Sequence, residues 1–252
     1  MTISFMLLFG SLLLPFVVGP ILIHRRPGIN ARQSYVPVSE EAARQRFPAN
    51  SFRAIAQLEQ LGFSLLAHMV TGDELSRANL MLSLLVNRDS KIMVTVSRAL
   101  IAGAAIKRNV EFVVFRTEFA DGTEIVTTNW AMVGLFHEVP RRRRLIVPQL
   151  GDIWRLHYIH SYYVGERHDS VAVLPAAGEE VAHFQKIHER TVTEQESAGY
   201  FYFDEPNGRY RFTWMTAISF AWRTLWPVRP ILMSQRRYRG RLIAKAAGIT
   251  NL

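Results

Sequence analysis

The chain has no cysteine. That excludes disulfides, thiolate metal sites and a cysteine nucleophile, but it leaves the compartment open, because a disulfide-free protein works on either side of a membrane. Acidic residues are scarce beside basic ones: 21 Asp and Glu stand against 30 Lys and Arg, a formal net charge of +9. A surplus of that sign suits anionic partners such as lipid headgroups, nucleic acid or an acidic protein face. Glycine and proline are not enriched, and there is no low-complexity tract or solenoid-period repeat. Wholesale disorder and repeat architectures are thereby set aside. The common motifs of chemistry are missing too: no G-x-S-x-G elbow, no P-loop, no G-x-G-x-x-G after a strand, no H-E-x-x-H.

Charge is also missing locally. Residues 3–23, ISFMLLFGSLLLPFVVGPILI, carry no charged side chain. As a helix rising about 1.5 Å per residue, this run covers roughly 30 Å, the thickness of a bilayer's hydrocarbon core. No Lys or Arg precedes it, and it ends in His24, Arg25 and Arg26 with no A-x-A-like site. The pattern reads as an uncleaved anchor rather than a secretory signal. Arg25, Arg26 and Arg32 all follow the run, so the positive-inside rule places the amino end outside and the body in the cytoplasm. The expectation is a single-pass protein of the cell's inner (cytoplasmic) membrane.

The remainder divides into a linker (27–50), an α+β domain (51–212) and an amphipathic helix with a basic tail (213–252). Ser51 is a helix cap, Phe52, Ile55, Leu58 and Leu61 recur at helical spacing, and Gly62 supplies the stop. The period then changes to two. Residues 63–70, 79–87 and 91–100 read as strands, and 110–130 as a hairpin turning at Asp121-Gly122. Asp152 caps a helix to about Val164, and a longer helix covers 178–197. A short hairpin turns at Pro206-Asn207-Gly208. Strands first and helices afterwards give an antiparallel meander of about five strands covered by helices.

In residues 214–226, Trp214, Ile218, Ala221, Trp222 and Leu225 gather on one side of a helical wheel, with Met215 and Trp226 adjoining; Thr216, Ser219 and Arg223 fall opposite. A second span here would bury Arg223 at mid-membrane, at about 2.5–3.5 kcal/mol, and would carry Arg236, Arg237, Arg239 and Arg241 outside. An in-plane helix avoids both costs, with Trp214, Trp222 and Trp226 at the interface and Arg223, Arg229, Arg236, Arg237 and Arg239 on anionic headgroups. A core helix of the soluble domain is the bland alternative.

Arg141, Arg142, Arg143 and Arg144 form the densest charge run. No nucleic-acid motif accompanies it, so an anionic lipid or acidic partner fits better than nucleic acid. His157 and His160 share a helix face, and Glu180 and His183 form an E-x-x-H. A di-iron bundle needs two such motifs and two further glutamates, so that set is incomplete. A zinc or mononuclear iron site drawn from His157, His160, His183 and Glu180 is the metal chemistry this pattern admits; no other cofactor is indicated. His168, Asp169 and Ser170 are sequence neighbours and do not converge as a triad would. With no assembled catalytic set, the expected role is an accessory or scaffolding protein docking on a membrane complex or an anionic lipid surface. The alternative is a membrane-tethered ligand-binding protein or enzyme with a His-lined pocket.

Overall fold

The alternating apolar residues do build a sheet, and a wider one than the meander alone. The computed structural model describes residues 14–26, 28–31, 35–71, 78–102, 107–130, 136–167 and 169–250. In chain order the elements are α1 (residues 14–24), β1 (Ile29–Asn30), β2 (Tyr35–Val38), α2 (Glu40–Arg46), α3 (Ala49–Gln60), β3 (Ser64–Thr71), β4 (Ala78–Asn87), β5 (Ile92–Ala102) and β6 (Lys107–Phe119). They continue with β7 (Glu124–Thr128), β8 (Arg142–Ile146), α4 (Ile153–Gly165), β9 (Ala172–Val173), α5 (Glu180–Ser197), β10 (Phe201–Asp204), β11 (Arg209–Phe212), α6 (Trp214–Thr224) and α7 (Val228–Ala246). The class is α+β, and two compact units share the chain: residues 33–131, 140–186 and 236–252 in one, and 1–32, 132–139 and 187–235 in the other.

The first is the sheet unit. Its strands run in the order β2-β3-β4-β5-β6-β7-β8, with β9 added to β6. All pairs are antiparallel except β7–β8, which is parallel. One row across the sheet joins Leu85, Val94, Phe115, Thr127 and Leu145 as register partners. Ile55 and Leu58 of α3, with Leu156 and Ile159 of α4, share the core with the apolar members of that row. Each such buried side chain contributes about 1.5–3 kcal/mol. Strand β4 reads LMLSLLV over residues 80–86 and lacks alternation because Leu82 and Leu84 are buried as well as Leu85.

Local signals set the helix ends. Ser39 accepts from the Ala42 amide and Asp152 from the Arg155 amide, capping α2 and α4. Gly62, at φ +81°, stops the chain after α3 as the sequence anticipates. At the carboxy end of α7, Ala244 and Ala247 join the same core. Gly240 lets that helix approach the sheet unit, because a Cβ there would lie 3.0 Å from the Ile146 carbonyl oxygen.

The second, smaller unit holds a three-stranded antiparallel sheet, β1-β11-β10. Gly28 precedes it at φ +83°, and a Cβ there would sit 2.4 Å from the Tyr210 carbonyl oxygen, so only glycine fits. The core is Ile23 of α1, Val192 of α5, Phe201, Phe212, and Ala217 and Ala221 of α6. The fully buried Gln195 side chain accepts from the His137 amide and donates to the His137 carbonyl, at 2.8 and 3.1 Å.

Three segments differ from the sequence reading. Residues 27–50, read as a linker, supply β1, β2, α2 and the start of α3, whose N-cap is Pro48 and not the expected Ser51; the strands form because long-range pairing orders short segments that carry little local signal. The arginine run forms β8, in which Arg142 and Leu145 are both buried, on opposite faces of the strand, while Arg143 in the strand and Arg141 before it remain exposed. The basic tail is a 19-residue helix, α7, in which Pro230 is the third residue, within the first turn where an amide is not needed for the helix. Among the described residues no helix is long and apolar enough to cross a membrane. Residues 3–13 of the expected span lie outside the described residues.

Candidate membrane-contact surface and polar sites

Helix α6 starts at a cap in which Thr213 Oγ1 accepts from the Thr216 amide. Its buried positions are Thr216, Ala217 and Ala221, and the Thr216 hydroxyl donates to the Tyr200 carbonyl at 2.6 Å. Its large residues face outward: Trp214, Met215, Ile218 and Trp222 are all exposed, Trp222 by 50%. The next residues continue the pattern, with Trp226 exposed by 74%. The side that reads as polar in the sequence, Thr216 with Ser219 and Arg223, therefore includes the buried position, while the wide apolar face is presented outward.

Helix α1 lies against α6 in the opposite direction. Phe16 meets Trp222 edge-on at 5.2 Å, a Cβ on Gly19 would be 3.4 Å from that of Ala221, and His24 stacks on Trp214 at 4.2 Å. His24 Nδ1 is 2.8 Å from the Phe212 carbonyl oxygen, which fixes the ring. Pro20 and Ile23 are buried, whereas Leu14, Val17 and Leu22 are exposed, Val17 by 62%. Arg25 and Arg26 follow, both exposed. Trp214 and Trp222 each touch α1 and remain half exposed, so they join the outward stripe of α6 to α1. Of the other basic residues expected at headgroups, Arg223 and Arg236 are half-buried and Arg229, Arg237 and Arg239 exposed. The Arg237 carbonyl accepts from Gln149.

The four residues considered for a metal are not brought together. His160 is fully buried, with the hydroxyls of Thr117 and Thr127 each 2.9 Å from one ring nitrogen. Burial, with a smaller effect of His157, holds its pKa down to about 3, so the ring is neutral. His157 packs between Phe63 and Phe115 and burial lowers its pKa as well. His183 Nε2 is 3.2 Å from Glu118 Oε2. Glu180 is buried, paired with Arg88, and accepts from the Gly178 amide at 2.7 Å. Among the described residues no group of three or more His, Asp or Glu is placed to hold a metal ion.

The arginine run is divided by the pleat. Arg142 is buried and paired with Glu124, its register partner on the parallel strand, and Arg116 pairs with the same carboxylate. Arg143 lies over the Tyr163 ring at 4.6 Å, and Arg141 is exposed. Arg144 is half-buried. Of the run, Arg141 and Arg143 are the exposed members.

Of two further features, the sequence signals one in part and the other not at all. One is an aromatic stripe on α4, where Trp154, Tyr158 and Tyr162 are exposed at four-residue spacing while Tyr163 is buried. The sequence placed these rings together without telling which faced out. The other is a polar cleft of about 330 Å³ between α3 and the sheet, lined by Asn50, Ser51, Arg53, Gln57, Glu111 and Asn129 among others. The Ser51 hydroxyl there is buried and has no hydrogen-bond partner among the described residues. No histidine lines this cleft.

Comparison with protein families, curated proteins and solved structures found no match.

Proposed function

We propose that this is a membrane-anchored accessory protein, which holds an α+β sheet unit at the cytoplasmic face of an inner-membrane-type bilayer and docks there on anionic lipid and a membrane protein complex. The observation that carries the reading is the orientation of α6, whose small residues are buried and whose Trp214, Met215, Ile218 and Trp222 face out. In water that arrangement leaves apolar area unburied at about 25 cal/mol per Å². Against lipid the same face is favourable, and indoles suit the interface. The charge-free stem, its Arg25–Arg26 collar and the basic α7 add anionic-lipid complementarity. The α4 stripe of Trp154, Tyr158 and Tyr162 is the face offered to a protein partner, since exposed aromatics at helical spacing resemble interface anchors.

Flotation of the full-length protein with phosphatidylcholine–phosphatidylglycerol vesicles tests this. Co-flotation that is lost in an Ile218→Ser, Trp222→Ser double variant supports it. Undiminished binding by the double variant, or none by the wild type, refutes it. A second reading, a membrane-tethered ligand-binding protein, rests on the cleft beside Ser51 rather than on the histidines. Native mass spectrometry that finds a small polar molecule retained by the wild type and lost on Arg53→Ala would favour that role.

A further inference from the structure

We infer that residues 14–26 and α6 form one antiparallel two-helix plate that lies along the membrane surface in a single leaflet, so that this part of the stem runs in the bilayer plane rather than through it. The inference rests on the lipid-contact reading above and concerns its geometry.

Three contacts fix the pair: Phe16 with Trp222, Gly19 with Ala221, and His24 with Trp214. The partner numbers run in opposite senses, so the axes are antiparallel and α6 must take whatever tilt α1 takes. The 11 residues of α6 span about 16 Å, roughly half the thickness of a hydrocarbon core. Both ends of the pair are basic. Arg25 and Arg26 lie at the Trp214 end, and Arg223 and Arg229 at the Trp226 end.

Suppose α1 stood upright with Arg25 and Arg26 at the headgroups. The Trp226 end would then be carried roughly 15 Å inward, placing Arg223 and Arg229 near the bilayer centre, where arginine is strongly disfavoured. Laid flat, both basic ends reach headgroups at one depth. Anionic headgroups are thus the complementary partner at each end, with acyl chains between them under Val17, Leu22, Ile218 and Trp222.

The uncharged character of the stem fits the flat arrangement once its second face is considered. An in-plane helix normally carries a polar face. Here that role passes to protein, because Pro20 and Ile23 are buried and Ile23 packs with Val192, Phe201, Phe212, Ala217 and Ala221. A helix apolar all round meets protein on one side and lipid on the other, and the pair is amphipathic as a unit.

The absence of cysteine makes the test direct, since single labels can be introduced at exposed positions without competing thiols. Val17→Cys and Leu22→Cys report two exposed positions about 7.5 Å apart along α1, and Met215→Cys and Ile218→Cys report α6. Each full-length variant is spin-labelled, reconstituted in phosphatidylcholine–phosphatidylglycerol vesicles, and its depth read by oxygen and nickel-chelate relaxation. The plate predicts equal, shallow depths at all four sites. In the unlabelled wild type it predicts that shallow-brominated lipid quenches the indoles more than deep-brominated lipid does, a readout that needs no substitution.

A depth gradient between Leu22 and Val17, with deep quenching of the wild type, would overturn the flat plate while leaving lipid contact intact. Labels that sense only water, or only a second copy of the chain, would overturn the lipid reading and the plate together.

Discussion

Helices α3 and α6 treat their large side chains in opposite ways. Helix α3 turns Ile55 and Leu58 inward and leaves Arg53 and Glu59 in solvent. Helix α6 turns Thr216, Ala217 and Ala221 inward and leaves Trp214, Met215, Ile218 and Trp222 outside. Both follow the same physics of removing apolar area from water. On the proposed reading, what differs is the surrounding that each outer face meets: water for α3, and the acyl-chain boundary for α6.

The largest effect that sharpens this contrast is a core truncation. Leu58→Ala should destabilise the protein by roughly 2–5 kcal/mol, because Leu58 is completely buried and its loss leaves a cavity. Ile218→Ser, on the more apolar helix α6, should change stability by no more than about 0.5 kcal/mol in the absence of lipid. Comparable losses from both would break the comparison. Next comes acid. His160 titrates at about 3 in the fold against an ordinary 6.5, so between those values the unfolded chain binds a proton that the folded chain refuses. Stability is therefore full above about pH 6.5 and falls as pH drops toward 3, by at most about 1.4 kcal/mol per pH unit from this group. Urea titrations should show that slope flattened in His160→Gln.

Smaller effects should appear only when lipid is present. Ile218→Ser removes an exposed apolar side chain of α6 and should weaken vesicle partitioning about tenfold, equivalent to about 1.4 kcal/mol, with native stability kept. Replacing Arg25 and Arg26 by Gln should cost about 1 kcal/mol each on anionic vesicles and nothing on neutral ones. Equal weakening on both kinds of vesicle would show that the collar acts through packing and not charge.

Much of the sheet unit was legible in the sequence because its signals are local. Period-two runs gave β3 to β7, Asp121-Gly122 gave the β6–β7 turn, and Asp152 with Gly62 marked helix ends. The strand in Arg142–Ile146 was hidden because its inward charge is neutralised by Glu124, a register partner that no spacing rule reveals. Strands β1 and β2 were hidden because two- and four-residue segments acquire meaning only from partners far along the chain. For the candidate site, periodicity showed that α6 is two-faced. It did not show which face is buried, since that depends on small residues fitting beneath Tyr200 and beside α1. The histidines were ambiguous for a related reason: a buried imidazole between two threonines and a metal ligand look alike in sequence.

The most direct measurement is photo-crosslinking of the reconstituted full-length protein to phospholipid carrying a diazirine on its acyl chain, followed by peptide mapping. Lipid contact through α1 and α6 should leave adducts concentrated in residues 14–24 and 214–226, with none on α3. Adducts absent from both segments, or spread evenly over the sheet unit, would contradict it.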